Sequence, residues 1–161
     1  MRRLRVGCGF TLVEVMVVVG VLLVLMSLCI QGLVRAKIAA NETATLGAMK
    51  TIYAAVEIYR QREGSYPRVM ADMTAAGGAD PAYIVDELDT AGTGRPRAGY
   101  NFHYLRPGGG MPAFFVLASP GRRGLQGIRL FYIDEDGVIR SSLGSFTNEA
   151  AARAWPAVSG G

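Results

Sequence analysis

The first residues that invite chemistry stand at the head of a hydrophobic run. Gly9-Phe10-Thr11-Leu12-Val13-Glu14 opens it, and Val15 to Val34 behind it carry no formal charge. Glu14 is ionisable, and a carboxylate at the middle of a bilayer costs about 2.5–3.5 kcal/mol or more, so it needs a partner. Asp134, Glu135 and Asp136 gather the oxygens that a hard cation such as calcium takes, but ahead of Gly137 they also suit a solvated hairpin turn. His103 is the single histidine and alternates with aromatic residues, the pattern of an exposed or rim position on a strand. Arg95-Pro96-Arg97 and Arg122-Arg123 are two basic pairs, readable as a patch for DNA or, more plainly, as solvated loops.

These groups need elements to position them. At ~1.5 Å per residue, Val15 to Val34 make roughly 30 Å of helix, the thickness of a bilayer's hydrocarbon core. Arg2, Arg3 and Arg5 precede the run and favour a cytoplasmic N-terminus, with Arg35 and Lys37 a slight counterweight on the far side. Residues 35–161 are then expected outside the inner membrane. The leader of residues 1–9 lacks the apolar core of a secretory signal. Cys8 precedes the apolar stretch, the reverse of a lipoprotein signal, and Cys29 lies inside it. Residues 35–161 contain no cysteine, which excludes a disulfide or thiolate metal site there. The formal charge of +4 is concentrated in the leader. Without its three arginines 14 basic residues face 13 acidic ones, which does not suit a strongly basic nucleic-acid binder.

From Arg35 to Glu63 there is no proline, and Ile38, Thr45, Met49, Ile52, Val56 and Tyr59 recur at spacings that share one helical face. Gly64 and Pro67 are a stop signal. The reading is one helix from Phe10 to Glu63, roughly 80 Å long, lipid-soluble in its first half and amphipathic in its second. Residues 67–96 read as a connecting region with short helical turns near Arg68–Ala75 and Ala82–Leu88. Four strands follow, at Tyr100–Leu105, Ala113–Ala118, Ile128–Ile133 and Val138–Ser141, with Pro107-Gly108-Gly109-Gly110 turning the first pair. The amphipathic half-helix is the expected cover for the apolar face of this antiparallel meander. One or two helical turns are expected between Thr147 and Trp155. The fold class is α+β, a long N-terminal helix packed on a small antiparallel sheet.

Gly9-Phe10-Thr11-Leu12-Val13-Glu14, behind a short basic leader and ahead of an apolar helix, closely resembles the type IV prepilin signature. Type IV pilins and type II secretion pseudopilins share it. The resemblance covers residues 1 to about 67, and the sheet in general pattern. It implies the type IV pilin-like fold, with residues 1–9 as a prepilin leader, 10–34 as transmembrane and filament-core helix, and 35–161 as an extracytoplasmic domain. It implies cleavage by a membrane-embedded prepilin peptidase between Gly9 and Phe10, and N-methylation of Phe10. Glu14 would neutralise the Phe10 amine of a neighbouring subunit and set axial register. The implied partners are copies of the chain itself, the prepilin peptidase, and an inner-membrane assembly platform with its ATPase.

The resemblance leaves the machine open between a type II secretion pseudopilus and a type IV pilus serving adhesion, motility or DNA uptake. The C-terminal cysteine pair of many major pilins is absent, which leans towards the pseudopilus. Only Asp80-Pro81 answers to the Asp-Pro-Trp-Gly-like segment common in major pseudopilins. Calcium has a precedent in those pseudopilins near the C-terminus, with Asp134 and Asp136 the candidate ligands. No other cofactor is implied. The contrasting reading is a membrane-anchored enzyme. Against it, residues 35–161 hold no Gly-x-Ser-x-Gly elbow, no phosphate loop and no second histidine for a triad.

Overall fold

The computed structural model describes residues 9–107 and 114–158, without the side chains of residues 28–31. The leader up to Cys8, the Gly108–Gly110 part of the expected turn and the side chain of Cys29 lie outside that description. Helix α1 runs from Leu12 to Glu63, and the chain divides into two compact units, Met1–Ala36 and Lys37–Gly161.

In the first unit α1 stands alone. Thr11 precedes its first turn and its hydroxyl accepts the Glu14 N–H at 3.2 Å, which satisfies one of the amide donors that a helix start leaves open. Every described side chain from Phe10 to Met26 is exposed, among them Val17, Leu22, Leu23 and Val24. Apolar surface this continuous is covered in a working protein by lipid or by other chains.

In the second unit the amphipathic expectation is realised. Thr45, Met49, Ile52, Ala55 and Val56 are buried on one face of α1, while Lys50, Arg60 and Arg62 are exposed. Buried Thr45 donates its hydroxyl proton to the Asn41 carbonyl at 2.8 Å, so its hydroxyl is not stranded. The helix ends where Gly64 takes a positive φ of 73° and its N–H closes on the Arg60 carbonyl at 2.9 Å.

The connection to the sheet contributes more core than a plain loop does. Two 3₁₀ turns, Met70–Met73 and Asp86–Leu88, carry Met70, Met73 and Leu88 into the cluster built on Met49, Ile52 and Val56. A short helix α2, Thr90–Thr93, escapes the sequence reading. Asp89 caps it by accepting the Gly92 N–H at 3.0 Å. Its Thr90 hydroxyl accepts from the Phe102 N–H at 2.6 Å and donates to the Phe102 carbonyl at 3.0 Å. That pair of bonds closes part of an open sheet edge.

The sheet is the expected meander: β1 (Tyr100–Leu105), β2 (Phe115–Pro120), β3 (Leu130–Asp134) and β4 (Arg140–Ser142), antiparallel in the order 1-2-3-4. Ala118 of β2 sits between Phe102 and Phe131, a small residue between two large ones on the inner face. The expected start of the second strand at Ala113 lies outside the described residues, and the β4 edge is closed by the tail, where the Val158 N–H reaches the Ile139 carbonyl at 2.8 Å.

The expectation of one covered face needs correction. Phe115 and Tyr132 point away from α1 and are also buried, under Phe146, Trp155 and Ala152. Helix α3, Glu149–Arg153, with Asn148 as its cap, holds that cover in place. The tail therefore makes a second small core on the outer face of the sheet.

Candidate functional site

The first candidate site is the start of the apolar helix. Gly9 and Phe10 are non-helical and exposed, and a Cβ added at Gly9 would meet nothing within 4 Å. Phe10 is 75% exposed. The segment is therefore open to an enzyme, as backbone cleavage requires. Glu14 lies in the first turn of α1, where a negative charge interacts favourably with the helix dipole. Thr11-Leu12-Val13-Glu14 has the S/T-x-x-E spacing of a capping box, a signal the sequence reading passed over. Only half of the box is made. Thr11 accepts from the Glu14 N–H, and among the described residues no reciprocal bond ties the Glu14 carboxylate to the Thr11 N–H. That carboxylate is left to interact outside its own turn.

The second candidate, the acidic turn after β3, is organised around arginines. Asp134 is wholly buried. Its Oδ1 lies 3.5 Å from Arg140 Nη1 and its Oδ2 lies 2.9 Å from Arg153 Nε. The Tyr132 hydroxyl donates to Oδ2 at 3.2 Å, and the Asp136 N–H to Oδ1 at 3.2 Å. Glu135 accepts from Arg153 Nη2, and Asp136 Oδ2 is 3.4 Å from Arg140 Nη2. Burial pushes the Tyr132 phenol up to about 12, and the hydroxyl stays a donor to the carboxylate. The two candidate calcium ligands are thus brought together in one turn but face guanidinium groups. Among the described residues no three His, Cys, Asp or Glu side chains form a cation site. Arg140 and Arg153, missed in the sequence reading, are their partners. Only the proximity of Arg140 to the Asp-Gly turn hinted at this, and Arg153 is brought in by tertiary packing of α3.

The remaining groups are dispersed. His103 is exposed, with Nε2 3.4 Å from Ser119 Oγ. Arg97 lies 3.9 Å from Glu87, beside an open hollow of about 680 Å³ that Thr93, Arg95, Pro96 and Ala98 complete. Its lining offers no histidine, cysteine or serine.

Residues 5–30 match the family described as Prokaryotic N-terminal methylation motif. That match spans the glycine, the phenylalanine, the glutamate and most of the apolar run. Neither the curated proteins nor the solved structures gave a match to the chain. The methylation motif thus covers the start of the chain, and behind it a long helix on a four-stranded antiparallel meander forms the α+β arrangement of the type IV pilin-like fold.

Proposed function

We propose that the chain is a structural subunit of a type II secretion pseudopilus or a related type IV pilus-like filament. A prepilin peptidase cuts between Gly9 and Phe10 and methylates the new amine of Phe10. Before assembly, residues 10–34 anchor the chain once in the inner membrane, with residues 35–161 on the periplasmic side. A platform protein and its ATPase then move the subunit into the filament. The observation that carries this reading is the match of residues 5–30 to the methylation motif.

Physical chemistry supports the role given to each residue. Cleavage leaves a cationic amine on Phe10, four residues from an anionic Glu14, both at the edge of an apolar segment. Two such charges in a low-dielectric setting attract strongly, and pairing them between neighbours relieves the cost of holding either in lipid. The exposed apolar side chains from Phe10 to Met26 would pack against other helices once lipid is left behind. Glu14 then sets the register in which they pack.

A type IV pilus subunit would share all of these steps. The absence of cysteine from residues 35–161 favours the pseudopilus over pilins with a stapled C-terminal loop. Deleting the gene separates the two. Loss of protein secretion with surface pili retained supports the pseudopilus, whereas lost pili with normal secretion would assign the subunit to a pilus.

A further inference from the structure

We infer that the loop between β2 and β3 is a docking surface for anionic lipid headgroups, holding the folded domain against the membrane before assembly. The inference rests on reading residues 10–34 as the membrane anchor. Its starting point is a loop, residues 121–129, that is braced at its base and bare at its tip. Asn41 Nδ2 donates to the Gln126 carbonyl at 2.7 Å. Glu42 Oε1 accepts from the N–H groups of Ile128 at 3.1 Å and Arg129 at 3.3 Å. Gly127 lies so close to the buried Tyr100 ring that an added Cβ would fall 2.1 Å from the phenol oxygen. Such bracing fixes the loop to the first turns of α1 in this unit.

The tip presents Arg122, Arg123, Leu125 and Ile128, all exposed. Neither Arg122 nor Arg123 has an ion-pair partner among the described residues. Glu42, the carboxylate against which the loop packs, is occupied by the two amides and lies 4.0 Å from the Arg129 guanidinium. Lys37 is exposed one helical turn before Asn41, on the same face of α1. The surface is therefore cationic, with apolar side chains set among the charges.

Two observations favour lipid over nucleic acid. The apolar run ends at Val34, seven residues before Asn41, so no more than about 25 Å of chain separates the brace of this loop from the end of the run. Leu125 and Ile128 have a place at the boundary of headgroups and acyl chains, where basic and apolar side chains bind together. A phosphate backbone offers them none.

The test uses the full chain in phosphatidylcholine vesicles with and without phosphatidylglycerol. Hydrogen exchange of residues 121–129 is the readout, and resistance to carbonate extraction is measured in parallel. Protection in the anionic vesicles alone, lost at high salt, is expected. Each of Arg122→Gln and Arg123→Gln should lower the docked-to-free ratio about fivefold. Leu125→Ser should weaken docking and leave its salt dependence unchanged. Equal exchange in both vesicles by a carbonate-resistant chain overturns the docking surface alone. A chain that carbonate removes overturns the anchor reading and this inference with it. Protection by short duplex DNA and not by phosphatidylglycerol overturns the lipid assignment in favour of nucleic acid.

Discussion

Asp134→Asn removes one charge from the centre of the outer core and changes little else in shape. Asp134 is fully buried, and the side chains of Arg140 and Arg153 are 15% and 29% exposed. Breaking a buried ion pair costs about 3–5 kcal/mol when the surviving charge is stranded. Here both arginines keep some water. Arg153 also keeps Glu135, and its Nε approaches Asp134 without a well-aligned hydrogen bond. The expected loss is therefore about 2–3 kcal/mol, or about 10 °C in thermal midpoint for a unit of this size. Full-length protein in detergent, followed by near-ultraviolet circular dichroism, reports it through Trp155, which packs on Tyr132 at 6.4 Å between ring centroids. Asp136→Asn is the control. Its carboxylate is half exposed and, among the described residues, pairs with Arg140 alone, so a shift of less than about 0.5 kcal/mol is expected. Adding calcium or a chelator should leave the wild-type midpoint unchanged. Equal midpoints for the two variants, or a clear rise with calcium, would refute the assignment of this carboxylate to the arginines.

The other expectations follow from single contacts. Glu14→Ala should be processed and inserted normally yet enter filaments poorly, and wild-type amounts in sheared filaments would remove Glu14 as the register point. Gly127→Ala drives a Cβ into the buried Tyr100 ring and should cost about 2–3 kcal/mol in chemical denaturation, against no change if the loop is slack. Alkaline pH should destabilise the domain. Burial raises the phenols of Tyr100 and Tyr104 and holds that of Tyr132 at about 12. Unfolded tyrosines ionise near pH 10, so this stability is complete below about pH 10 and falls as pH rises towards 12. Tyr132→Phe should flatten part of that decline, and parallel curves for variant and wild type would contradict it.

The parts legible in the sequence were those that repeat along the chain. The spacing of Thr45, Met49, Ile52 and Val56 marks a helical face, and that face is buried. Alternation from Tyr100 to Leu105 and the Asp-Gly turn mark the meander, which forms in the expected order. The prepilin-like signature was legible because it is local, six residues in a row, and residues 5–30 match its family. Partnerships across the fold were not legible. Asp134 meets Arg153 only because α3 folds back over β3, and nothing in the spacing of those residues announces it. Helix α2 is too short to show a period, and its role comes from Thr90 meeting Phe102 on another element. The outer core was missed because Phe115 and Tyr132 sit in runs apolar on both faces, which read as a single buried face until Phe146 and Trp155 are placed. Thr11 stands three residues before Glu14, a capping spacing that the apolar pattern around Glu14 obscures.

The central claim is that the chain is matured at its own N-terminus before it is used, and intact mass of the protein purified from native membranes tests it most directly. The account predicts a species that begins at Phe10 and carries one methyl group on its amine, with Gly9→Ala leaving the full precursor in the membrane. A wild-type protein that retains Met1–Gly9 in a cell with active prepilin peptidase, or a Gly9→Ala variant that matures normally, would contradict it.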